Sequence, residues 1–260
     1  MEVAVVSAAI QDVAWDALLG AARRVSDDHR FAYGTANLYY QLVRDGVVDA
    51  DAGAPREHLP TLATHLRELE ATRGRLRGRL DTDELMTRYN DRAASARDVW
   101  TYAVRRVIVF DRPSPCLTFV ANRFFTQIEC ALVATPGFPA SVWERLYQQL
   151  DNGLEMTFFA VHDADMAGMA MPQHLRASLA KYPHATVVDC GLTFRQAFRL
   201  GMTVGRRAKR RLQPGLDVSP EDTLLLRSGS YAHFEELTPF FMMRTTYQSV
   251  CHAFEEIGFG

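Results

Sequence analysis

The sequence predicts an α/β protein that opens with a helical module. Two observations carry this reading. Apolar residues recur at helical spacing up to about residue 103, and from Val104 short β-branched runs alternate with helical patterns. Strand, helix, strand in succession implies a small parallel sheet flanked by helices. The change of texture divides the chain into 1–103, a DNA-binding-like helical domain with a connector, and 104–260, the sheet domain with a C-terminal helical extension.

The helical half reads in order. Residues 9 to 24 suit a first helix, and Thr35 to Asp45 a second that Gly46 ends. Leu59, Leu62, Leu66 and Leu69 form the buried stripe of a third. Three helices in succession suit a helix-turn-helix type of module. After them stands RGRLRGRL, residues 73 to 80, in which Arg73, Arg75, Arg77 and Arg79 recur at period two between Gly74 and Gly78. An arginine-faced β wing that touches DNA explains the spacing, and a solvated helix end explains it equally well. Residues 81 to 103 read as connector, and GRRAKRR, residues 205 to 211, as a solvated face.

In the second half, Val107 to Phe110, Ile128 to Ala134, Met156 to Val161 and Ala185 to Val188 read as buried strands, and Ser141 to Leu150 as a helix on Val142, Leu146 and Leu150. Open parallel sheets bind ligands beyond the carboxyl ends of their strands. Acids stand there: Asp111 after the first strand, and His162, Asp163, Ala164 and Asp165 after the third, with Gly168 at the start of the next helix. Three converging carboxylates repel one another unless a cation lies among them, and hard oxygen ligands suit Mg²⁺ or Mn²⁺ with a phosphate completing the shell. His162 beside them reads as a hydrogen-bonded neighbour or, less readily, as a ligand or proton donor.

Charge and cysteines bound the function classes. Against 29 Lys+Arg stand 31 Asp+Glu, a net charge of -2, so no global positive field advertises nucleic acid or an anionic membrane. Any basic surface is local. The four cysteines show no metal-ligand spacing and read as reduced structural thiols. No run approaches 18 apolar residues and no basic segment precedes an apolar one at the start, which leads us to expect a cytoplasmic protein without membrane contact.

A family resemblance joins these signals. LVATPGFPASVWERLYQQL, residues 132 to 150, followed by FFAVHDADMAGMAM, residues 158 to 171, resembles the Toprim domain of the topoisomerase VI A subunit and its meiotic double-strand-break relatives. Gly137, Phe138, Pro139, Asp163, Asp165 and Gly168 stand at the matching positions, and Asp111 falls where the family has its first metal-binding acid. TANLYYQLVRDG, residues 35 to 46, resembles the winged-helix segment whose Tyr-Tyr pair carries the cleaving tyrosine, here Tyr40. The stretch beyond Asp189 matches only loosely.

The resemblance implies a winged-helix-like domain before a Toprim domain, and metal-dependent breakage of double-stranded DNA through a Tyr40 nucleophile. Asp111, Asp163 and Asp165 would hold Mg²⁺ or Mn²⁺. It also implies a homodimer, with the tyrosine of one subunit facing the metal of the other, and a separate ATPase subunit of the gyrase/Hsp90/histidine-kinase (GHKL) type. Two positions depart from the family: Asp111 replaces a glutamate, and Ala36 an arginine that precedes the tyrosine. Both departures suit the alternatives, a hydrolytic Toprim nuclease of a plasmid- or phage-defence type that uses water, or a catalytically silent DNA-binding assembly subunit.

Overall fold

The computed structural model describes residues 10–49, 55–87, 104–135, 140–209, 211–213 and 215–257. Two compact units emerge, one formed by Met1–Asp81 with Glu235–Met242, the other by Thr82–Phe234 with Met243–Gly260. The first unit ends at Asp81, where the expected connector 81–103 begins, and residue 103 itself lies outside the described residues. A short C-terminal segment, Glu235–Met242, returns to the first unit.

The first unit contains α1 (Trp15–Val25), α2 (Thr35–Arg44) and α3 (Pro55–Arg73). On α1, Leu18, Ala21, Ala22 and Val25 are buried at helical spacing. This helix begins at Trp15 and not near residue 9, because the chain is extended at Ala14 and Asp16 supplies the acid of the first turn. Helix α2 starts where Asn37 accepts the Gly34 N–H at 2.9 Å, and it stops where Gly46 takes a φ of +69°. Leu62 and Leu66 of α3 are fully buried, with Leu59 and Leu69 packed alongside.

No β wing follows α3. Residues 74–80 make one isolated bridge, Tyr33 with Arg79, closed by Tyr33 N to Gly78 O at 3.0 Å and Leu80 N to Tyr33 O at 2.8 Å. The cause is Glu70, which folds the segment back onto the end of α3. Its carboxylate accepts from Arg79 Nε at 2.8 Å, from Arg79 Nη2 at 2.5 Å and from the Leu76 N–H at 2.9 Å.

The second unit is built on β1 (Arg106–Phe110), α4 (Pro113–Ala121), α5 (Phe125–Ile128), β2 (Ala131–Ala134), α6 (Ala140–Asp151), β3 (Met156–Val161), α7 (Met166–Leu179) and β4 (Ala185–Asp189). The second strand is shorter than its apolar run, because Ile128 ends a helical turn and Glu129 kinks the chain at φ +47°. All four strands are parallel, in the order β2-β1-β3-β4. Val107 to Phe110 and Phe158 to Ala160 are fully buried, as central strands covered on both faces must be. Beyond the sheet come α8 (Phe194–Arg199), the small antiparallel pair β5 (Gly205–Arg206) and β6 (Ser230–Tyr231) around α9 (Pro220–Arg227), and α10 (Pro239–Ile257). No helix among the described residues is long and apolar enough to cross a membrane.

Candidate functional site

The strand order sets the site. From β1 the chain departs toward β2 at one edge of the sheet, and from β3 toward β4 at the other, so the connections diverge between β1 and β3. That divergence opens the crevice in which α/β sheets bind ligands. Phe110 is in register with Val161, and the ladder extends one step further through Asp111 N to Val161 O at 3.1 Å. The acids follow directly. Asp163 N donates to Asp111 Oδ2 at 3.0 Å, locking the two strand ends together.

A second segment closes over this edge. Ala164 and Ala232 form an antiparallel bridge with both hydrogen bonds at 3.0 Å, which lays residues 230–234 along the acidic turn. Asp163 Oδ1 thereby accepts from Phe234 N at 2.7 Å, and it also accepts from Arg112 Nη2 at 2.5 Å. His233 Nδ1 lies 3.1 Å from Asp163 Oδ2, while its Nε2 accepts from Arg207 Nη2 at 2.8 Å. Arg112 Nη1 lies 3.3 Å from His233 Nδ1, so the ring sits between two guanidinium groups and the Asp163 carboxylate.

Electrostatics separates the two strand-end acids. Burial, then the charge of Asp163, pushes the Asp111 carboxyl up to about 7. Burial acts on Asp163 in the same sense, but Arg112, His233 and the Phe234 N–H outweigh it and hold this carboxyl well below the usual range. The pair's charge is thus held more firmly on Asp163 than on Asp111. His162 is held on both nitrogens by acceptors, the Asp163 carbonyl at 2.8 Å and Asp189 Oδ1 at 3.0 Å. Two acceptors require two N–H groups. Although burial opposes it, these partners raise the His162 pKa and make the ring an imidazolium. His162 is a satisfied neighbour.

Asp165 behaves differently from the other two. It caps α7, accepting from Gly168 N at 2.9 Å, and its other oxygen lies 3.5 Å from Arg207 Nη1. A side chain at Gly168 would collide with the Asp163 carbonyl, so the glycine of this turn is sterically required. Among the described residues no three His, Cys, Asp or Glu side chains are grouped to hold a metal ion. One oxygen of Asp165 is engaged as the cap of α7.

A divalent cation fits the Asp111–Asp163 pair. Asp163 Oδ2 is buried beside His233 Nδ1 at 3.1 Å, and burial followed by the charge of Asp163 raises the Asp111 carboxyl to about 7. A divalent cation held by these two carboxylates would offset both their burial and their mutual repulsion. Mg²⁺ commonly takes one or two carboxylates and completes its shell with water and phosphate, so Asp165 is not needed in it.

Other expected site residues lie in the first unit. Tyr40 belongs to the core of that unit, 7% exposed, with its ring edge-on to Tyr39 at 5.3 Å between centroids. Tyr39 in turn meets His58 Nδ1 at 3.0 Å. Arg73, Arg75 and Arg77 are exposed, but Arg79 is buried against Glu70 and does not face a ligand, a correction to its expected role on DNA. Gly137, Phe138 and Pro139, which carry part of the resemblance, fall outside the described residues.

Sequence reasoning missed Arg112, Arg207 and His233. Arg112 was legible as the residue after a strand-end acid. Arg207 stood in the basic run taken for a solvated face, and His233 gave no local signal. The four cysteines are free, and burial pushes Cys130 and Cys190 up to about 12 and Cys116 well upward, as suits inert thiols. Comparison of the chain with family models, with curated proteins and with solved structures gives no match.

Proposed function

We propose that the second unit cleaves phosphodiester bonds of DNA by metal-dependent hydrolysis, in the manner of a Toprim nuclease. The observation that carries this is the Asp111–Asp163 pair at the divergence of β1 and β3, two largely buried carboxyls tied by the Asp163 N–H to Asp111 Oδ2 bond, of which Asp163 is held well below the usual range and Asp111 is raised to about 7. The resemblance of residues 132 to 171 to Toprim domains supports the substrate class. Bound Mg²⁺ supplies Lewis-acid stabilisation and activates water for attack.

The protein's own residues do the rest. Asp111 and Asp163 would hold the cation, while Asp165 and Gly168 fix the start of α7 behind them. Arg112 and Arg207, each about one quarter exposed, present cations to phosphate oxygens. Water is taken as the nucleophile because Tyr40 is 7% exposed and belongs to the hydrophobic core of the first unit. A phosphotyrosine intermediate, as the topoisomerase reading requires, finds no support in that placement.

The test is Mg²⁺-dependent cleavage of plasmid DNA by wild type and by Asp163→Asn, with folding checked by circular dichroism. The expected result is loss of cleavage by at least about 100-fold, the scale of removing one charge-stabilising group. Asp111→Asn, whose side chain is less enclosed, is the second variant should Asp163→Asn fail to fold. Wild-type rates in a folded variant of either kind would refute the assignment.

A further inference from the structure

We infer that the basic segment 205–211 is a track for the DNA backbone that leads into the acid pair; this rests on the reading of that pair as a phosphodiester-cleaving site. GRRAKRR holds five cations and no acid in a chain whose net charge is -2. Its first part is built into the site. Arg207 N donates to Gly229 O at 2.9 Å, its guanidinium lies 3.9 Å over the Tyr231 ring, and Nη2 reaches His233.

That attachment depends on two glycines. A Cβ on Gly205 would enter the Tyr231 ring, and one on Gly229 would strike the Arg207 carbonyl. The stacking, the backbone bond and the His233 contact aim one guanidinium at the crevice while its 24% exposure leaves it reachable. Arg207 is therefore an ordered end to the run.

Just past the run the chain lies beside the middle of α7. Gln213 Nε2 meets His174 Nε2 at 2.9 Å and Gln173 Nε2 donates to Gly215 O at 2.7 Å, which anchors the chain just past the run to the middle of that helix. From Met166 to His174 an α-helix rises about 12 Å. One DNA strand spaces its phosphates about 3.4 Å apart along the axis, so this length spans roughly three or four of them. Exposed Arg206, Lys209 and Arg211 match that number. A merely solvated face explains the exposure but neither the fixed Arg207 nor the anchoring to α7.

The experiment measures binding alone. A short DNA duplex is titrated with wild type, with Arg206→Ala/Lys209→Ala/Arg211→Ala and with Arg206→Lys/Arg211→Lys, in chelator so that no cleavage occurs, over a range of salt. The alanine variant is expected to bind at least about 10-fold more weakly at low salt, with a log–log salt slope shallower by about 2 to 3. The lysine variant keeps the wild-type slope, because counterion release needs charge and not the guanidinium fork. Unchanged affinity and slope in the alanine variant overturn the track, as do a lysine variant that fails alongside it and a wild type that does not bind. Tight, slope-sensitive binding by a wild type that never cleaves upholds the track and refutes the hydrolytic reading instead.

Discussion

At the scale of single residues, the site is a set of charges that displace one another's titrations. Asp111 shows the consequence most directly. Its folded pKa of about 7 lies above the unfolded value near 4, so the folded state binds this proton more tightly than the unfolded chain does. The resulting stability is complete below about pH 4 and is lost as pH rises through about 7. In chelator, Asp111→Asn removes that loss, and the melting temperature of the variant relative to wild type is expected to climb between pH 5 and pH 8. A pH-independent difference would show that Asp111 is not held protonated. Arg79 offers a second case in which charge is structural. Buried against Glu70, it is expected to cost about 3–5 kcal/mol when replaced by alanine, because Glu70 is left as an unpaired, largely buried charge. Denaturant unfolding measures it, and a loss below about 1 kcal/mol would return Arg79 to the class of surface arginines.

At the scale of elements, segments far apart in sequence complete both units. Asn37 of α2 donates to the carbonyls of Glu235 at 2.9 Å and Leu237 at 3.0 Å, and so ties the returning segment 235–242 into the first unit. Asn37→Ala strands those two buried carbonyls and the Gly34 N–H, a loss expected to reach at least about 2 kcal/mol and to speed limited proteolysis at 235–242. Wild-type protease resistance would contradict the tie. Elements of this kind explain what the sequence made legible. Periodicity located β3 to the residue and α2 and α6 to within one, because a local apolar pattern and local breakers decide those boundaries. It left residues 73–80 open between a wing and a solvated helix end, since the alternation of arginines is the same whether they face solvent or one of them turns in to a glutamate nine residues back. That the second acid of the DxD also caps the following helix is not visible in the motif itself. The 230–234 segment, which supplies Phe234 N and His233, meets the acids only through a long-range bridge, and no nearby pattern encodes such a pairing.

At the scale of the whole molecule, a parallel sheet of order β2-β1-β3-β4 places one crevice where its connections diverge, and the strand-end acids stand there. The chain adds arginines from both sides in sequence, Arg112 just after β1 and Arg207 just after β5, which set positive charge beside the acids. On the proposed reading water, not Tyr40, attacks phosphorus. The most direct test is cleavage of DNA in oxygen-18 water with Mg²⁺, followed by mass spectrometry of the new termini after denaturation. Hydrolysis predicts one labelled oxygen in the terminal phosphate at each break and no protein joined to DNA, with Tyr40→Phe cutting as wild type does. Unlabelled termini covalently joined to the protein, with Tyr40→Phe inactive, would contradict the account.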